Sequence, residues 1–77
     1  MIFCEDCSCP ARRYIRFRGE GYEGWGPSAY CKFHYATFSA REKESKRQFR
    51  QQYGRKLSGD VQEITAAEYI VHKVLAS

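Results

Sequence analysis

"CEDCSC" at residues 4–9 and "YCKFHY" at residues 30–35 decide what kind of fold this chain can build. Cys4 and Cys7 form a Cys-x2-Cys pair, Cys31 and His34 form a Cys-x2-His pair, and 23 residues separate Cys7 from Cys31. Two short pairs at such an interval suit one tetrahedral zinc ion held by three thiolates and one imidazole. The first pair can close a tight knuckle that presents two sulfurs from one side. The second, at the start of a helix, brings a sulfur and a nitrogen to the other. Free core thiols beside a core histidine would need both spacings to arise by coincidence. Cys9 leaves a second ligand set open, with Cys7 and Cys9 together and Cys4 or His34 left out. Cys-x-Cys is a less usual knuckle spacing, so Cys9 is read as a free thiol near the site. A redox pair of the thioredoxin type follows a strand in a βαβ pattern, and the residues ahead of Cys4 do not supply one.

Size explains why a metal would be wanted. A chain of 77 residues is one small domain, and a domain near this size buries only ~60% of its unfolded surface, so a staple is commonly needed. No stretch approaches the ~20 apolar residues of a membrane span. The opening "MIFCEDC" has neither the positive start nor the apolar run of a signal peptide. The expected compartment is therefore a reducing cytoplasm, where a Cys-x-x-Cys pair is more often metal-binding or redox-active than disulfide-forming.

Between the two pairs the chain reads as a hairpin. "RRYIRFR" at residues 12–18 alternates, with Ile15 and Phe17 on one face and Tyr14, Arg16 and Arg18 on the other. Glycines at 19, 21, 24 and 26 and then Pro27 punctuate the turn. The connection is too long for a two-residue turn, so a flexible tip carrying exposed Tyr22 and Trp25 is expected. These two are the candidate partner-binding residues. "SAYC" returns as a short strand that delivers Cys31. Most of Tyr14, Phe17, Tyr30, Phe33, Tyr35 and Phe38 are expected in the core around the metal, because aliphatic residues are few.

From Cys4 to about Phe38, roughly half the chain, the sequence resembles the small Cys-x2-Cys…Cys-x2-His zinc proteins of phages and actinobacteria. "CEDC" matches the first half of their motif and "YCKFHY" the second; Ser8 departs from the glycine that often follows a knuckle's second cysteine. The resemblance implies an α+β treble-clef-like fold and one Zn2+ per chain on Cys4, Cys7, Cys31 and His34. Treble clefs serve DNA, RNA and protein partners alike, so it says little of activity.

Two helices are expected downstream. Ser39-Ala40-Arg41-Glu42 fits a capping box, giving a basic helix over residues 39–54 with Gly54 as its stop. Thr65-Ala66-Ala67-Glu68 is a second box, flanked by Ile64 and Tyr69 as a hydrophobic staple, and opens an amphipathic helix over 65–76. The apolar face of that helix, Ile70, Val71, Val74 and Leu75, is expected to pack on Ile15 and Phe17. Residues 1–38 would then form the knuckle and hairpin of a single domain.

The formal net charge is +4, and its excess sits in one place: residues 41–57 hold seven basic and two acidic side chains. Such a helix is either solvated, with Glu42–Lys46 pairing at i, i+4, or lies against something acidic. Lys43, Lys46, Arg47 and Arg50 are the candidate phosphate contacts, and Tyr22 and Trp25 could stack on unpaired bases. The function expected is that of a non-enzymatic regulatory or accessory protein on nucleic acid, of the kind that regulates transcription. The alternative is a module docking on a host protein through the hairpin tip and last helix. Four protein ligands leave no open position on a metal for an activated water. His72 is the only other histidine, and no catalytic set is visible.

Overall fold

The strand that opens at Arg13 becomes the middle of the molecule. In the computed structural model, which describes residues 1–76, the strands are β1 (Arg13–Arg18), β2 (Ser28–Tyr30) and β3 (Asp60–Ile64), and the helices are α1 (Lys32–Tyr53) and α2 (Ala66–Ala76). The sheet is antiparallel throughout, in the order β2-β1-β3. β1 pairs with β2 at Arg13↔Tyr30, Tyr14↔Ala29 and Ile15↔Ser28, and with β3 from Tyr14↔Ile64 to Arg18↔Asp60. Polar cross-strand pairs reinforce that second register: Arg13 Nη1 donates to Glu63 Oε2 at 2.8 Å, Arg16 Nε to Gln62 Oε1 at 2.7 Å, and Arg18 Nε to Asp60 Oδ1 at 3.2 Å. β3 was not expected from the sequence. Its five residues are mostly polar, and pairing with β1 is what organises them.

Both faces of β1 are covered, so its alternation sorts residues between two small cores. Ile15, fully buried, joins Cys4, Tyr30, Cys31 and Phe38, with Phe17, Tyr35 and Val61 packed around them. Tyr14 turns the other way, towards Ala11, Ala29, Ile64 and Tyr69, and its ring lies 5.7 Å from that of Tyr69.

α1 corrects one expectation. Ser39 does not cap a helix, because the helix has already begun: Cys31 is the N-cap, and its sulfur accepts the His34 backbone N–H. Nothing between Lys32 and Phe38 breaks a helix, so the chain runs on through Ser39 for 22 residues. Gly54 does end it, in the left-handed conformation at φ 71°, with its N–H on the Arg50 carbonyl. Phe38 is the only buried residue of α1. A helix of this length spans about 33 Å, and the molecule measures 42 × 27 × 16 Å. Its radius of gyration, 13.3 Å, exceeds the roughly 11–12 Å of a compact chain of this length. The far end of α1 projects from the body.

α2 opens on its capping box: Glu68 N–H donates to Thr65 Oγ1 and Thr65 N–H to Glu68 Oε1, both at 3.1 Å. Such a cap contributes about 1 kcal/mol. The packing face, however, is not the one expected. Tyr69 is the buried residue, whereas Ile70 is 53% exposed and Leu75 76%, with Val71 and Val74 between them. The helix rests on β1 through Tyr14, not through Ile15 and Phe17, whose side of the sheet α1 and the cysteines already occupy. Phe33 is likewise exposed, not core. It lies in the first turn of α1, edge-on to the His34 ring.

Candidate functional site

The residues ahead of β1 fold into a stitched loop. Phe3 and Pro10 form an isolated antiparallel bridge, Cys4 N–H reaches the Cys9 carbonyl at 2.9 Å, and Glu5 N–H reaches the Ala29 carbonyl of β2 at 2.9 Å. This holds Cys4 and Cys7 beside the end of β2, where Cys31 and the first turn of α1 emerge. The ligand atoms of Cys4, Cys7, Cys31 and His34 all lie within 4.8 Å of one another and could hold a metal ion. Cys7 Sγ is 3.8 Å from Cys31 Sγ, and His34 Nδ1 is 3.3 Å from Cys31 Sγ and 3.6 Å from Cys4 Sγ. None of the four cysteines is joined in a disulfide. Cys9 is exposed and is not one of the four residues of the cluster.

The proton balance of the cluster is uneven. Cys31 is held down to about 6 from an ordinary 9.0, first by the His34 backbone N–H and then by the His34 side chain and the Cys7 and Cys4 thiols. Cys7 is pushed up to about 12. The Cys9 backbone N–H pulls it down, but desolvation and thiol contacts with Cys4, Cys31 and Cys9 outweigh that pull. Cys31 sits at the N-cap of α1, where a helix start favours negative charge.

The hairpin tip is packed, which overturns the expectation of a flexible loop. Gly19, Gly21 and Gly24 take positive φ and fold it tightly. Tyr22, expected outside, is 5% exposed: its hydroxyl donates to Glu42 of α1, and burial together with that carboxylate raises its pKa. Trp25 stays at the surface, 52% exposed, yet it stands edge-on to Phe17 and Tyr22 with ring centres 4.9 and 5.2 Å away. It borders three shallow clefts, each of about 270–290 Å3.

Beyond Phe38, α1 carries the basic side chains. Lys43, Lys46, Arg47 and Arg50 fall at i, i+3, i+4 and i+7, one stripe of a helix. They line a cavity of about 420 Å3 together with Lys56 and Leu57 from the segment that returns to β3. Arg47 is paired with Glu44 at 2.6 Å. Among the described residues, no acidic group lies within ion-pair distance of Lys43, Lys46, Arg50 or Lys56. The expected Glu42–Lys46 pair does not form, because Glu42 is turned to Tyr22. Sequence reasoning missed Lys56 and Leu57 as partners of the stripe. Only the direction of the return segment, invisible in local pattern, brings them there.

Glu20 fixes that segment. Its carboxylate takes two bonds from Arg55, at 2.8 and 2.7 Å, and two from Ser58, from the backbone N–H at 3.2 Å and the hydroxyl at 3.1 Å. Arg55 first, then the Ser58 N–H, hold Glu20 down to about 2 from 4.5. A carboxyl lowered in the folded state contributes stability that is complete above the unfolded value and is lost as pH falls through the folded one. Glu20→Gln is therefore expected to lower Tm at neutral pH, the gap from wild type closing as pH drops below about 4.5. Equal Tm values for the two chains at pH 7 would exclude this carboxylate as a stabilising acceptor.

Fold and cluster together define a small α+β domain with a three-stranded antiparallel sheet, two helices and a Cys3His group able to hold a metal. Compared with protein-family models, curated proteins and solved structures, the chain has no match. Among the described residues no helix is long and apolar enough to cross a membrane.

Proposed function

We propose that the chain is a zinc-stapled, non-enzymatic accessory protein of the cytoplasm, phage-like in type, that contacts nucleic acid through α1. Zinc is supported by the spacing of the donors. A tetrahedral ion with Zn–S bonds of ~2.3 Å and a Zn–N bond of ~2.0–2.1 Å has S···S edges of ~3.8 Å and S···N edges of ~3.6 Å. The cluster's 3.8 Å and its 3.3 and 3.6 Å lie close to these. Knuckle, antiparallel hairpin and ligand-bearing helix start also follow one another in the treble-clef order. With four protein ligands the coordination sphere is closed, so the metal's role is structural.

The observation that carries the nucleic-acid reading is the stripe of Lys43, Lys46 and Arg50, with Lys56 opposite, bordering one cavity and lacking acidic partners among the described residues. Cations so placed exchange condensed counterions for phosphates. Roughly four such contacts predict a slope of about −3 to −4 for the logarithm of the binding constant against the logarithm of salt. Lys46→Ala, Arg47→Ala and Arg50→Ala together are expected to flatten that slope while metal content stays the same, because none of the three is a ligand. No binding at low salt, or an undiminished slope in the triple variant, would refute the reading. Trp25 is the chain's sole tryptophan, so its fluorescence reports directly whether a base stacks on it. In a second reading the exposed Trp25 and its bordering clefts dock a host protein. Capture of a partner that Trp25→Ala abolishes and the triple variant leaves intact would favour it.

A further inference from the structure

The cations of the groove stand on two separate walls, and that geometry selects among nucleic acids. One wall is the stripe on α1; the other is the return segment at Lys56 and Leu57. Building on the nucleic-acid reading above, we infer that the groove takes one single-stranded phosphodiester chain between these walls and excludes duplex from its interior.

The exclusion follows from width. A helix with its side chains is 10–12 Å across, and the major groove of a duplex is about 12 Å wide, so a bare helix already fills it. Here the cationic stripe is flanked by residues 56–57. Helix and segment together are too broad to enter by that face. The second wall is also firmly placed. Gly54 turns the chain back in a left-handed conformation. Glu20 then holds Arg55 and Ser58 from the hairpin tip, and Leu57 closes on Gly21, where an added Cβ would lie only 3.1–3.2 Å from its methyl groups. Arg55 also lies over the Phe49 ring, 5.1 Å from its centre. A strand lying here meets Lys43, Lys46 and Arg50 on one side, Lys56 on the other, and apolar Leu57 beside it. Glu20 does not touch the strand; it is a positioning residue.

The test uses the zinc-loaded chain and a labelled twelve-nucleotide strand, free or as its blunt duplex, followed by fluorescence anisotropy at low salt. The single strand is expected to bind more tightly, since a duplex held only at the rim forgoes about two contacts and loses roughly tenfold. Lys56→Ala is expected to weaken the single strand about two- to fivefold and to reduce its salt slope by about 0.7, with duplex binding unchanged. Glu20→Gln supplies a test of sign. It removes a negative charge and frees a guanidinium, so a plain electrostatic surface would bind every polyanion more tightly; a groove that needs its second wall binds the single strand less tightly. Ribose and deoxyribose strands carry the same phosphodiester and are expected to bind alike. Duplex binding as tight as single strand, indifference to Lys56→Ala, tighter binding by Glu20→Gln, or a requirement for ribose would each overturn the groove. If the α1 triple variant still abolishes binding in any of those cases, the nucleic-acid reading stands without it. Absence of binding by either form removes both.

Discussion

Zinc added to the reduced, metal-free chain is expected to fold it at one ion per molecule, and a strong chelator is expected to unfold it again. The size of the effect follows from where the ligands sit. Cys4 and Cys31 are themselves members of the larger core, packed with Ile15, Tyr30 and Phe38, so the site and the core form together or not at all. Structural zinc binding contributes an apparent ~10–16 kcal/mol at neutral pH, as much as the whole stability of an ordinary domain, ~5–15 kcal/mol, which is smaller still in a small one. Thiolate and imidazole ligands must shed protons to bind, so the folded fraction at fixed zinc should fall with pH. The near-ultraviolet signal of the packed Trp25 and Tyr22 rings reports folding, and metal analysis reports stoichiometry. Cys31→Ser is expected to lose the ion, whereas Cys9→Ser is expected to keep it. A chelated chain that retains its full near-ultraviolet signal, or a Cys9→Ser chain with half the metal, would show the assignment to be wrong.

Ile15→Ala is expected to cost about 2–5 kcal/mol, the range for truncating a fully buried isoleucine. Ile15 is 0% exposed on the central strand, between β2 and β3 and against the cysteine cluster. Few other aliphatic side chains are available to collapse into the gap. Leu75→Ala, an apolar truncation of similar size on α2, should stay within about 0.5 kcal/mol because the residue is already largely in water. Denaturant unfolding in a zinc buffer of fixed free concentration measures both, since bound metal shifts apparent stability by mass action. Equal costs for the two variants would mean that the outer face of α2 is covered in solution.

That contrast marks where sequence reasoning reaches its limit. Hydrophobic period tells which α2 residues share a side, and Ile70, Val71, Val74 and Leu75 do lie together. It does not tell whether that side meets the sheet. Tyr69 does instead, because Thr65 caps the helix directly after β3 and the short connection sets which side turns inward onto Tyr14 and Ala29. Likewise Ser39–Glu42 has the composition of a helix start, but composition does not say that a helix already in progress will pass through it. Tyr22 sits among glycines, as an exposed residue often does, and is buried because α1 presents Glu42 to its hydroxyl.

What the residues determined alone is whatever depends on near neighbours. The Cys-x2-Cys and Cys-x2-His spacings bring ligands together in pairs, the Thr65–Glu68 box and Gly54 set helix ends, and alternation over residues 13–18 makes β1. These signals act within a few residues, where backbone geometry leaves little choice. Tertiary structure decided the rest: that the two cysteine pairs meet as one cluster, that the mostly polar residues 60–64 become a third strand by pairing with β1, and that Lys56 lines one cavity with the stripe on α1. The first two join segments far apart in the chain, and the third depends on distant Glu20 holding the return segment through Arg55 and Ser58. Their contacts become favourable only after chain entropy has been spent on bringing the segments together, so no local pattern of residues encodes them.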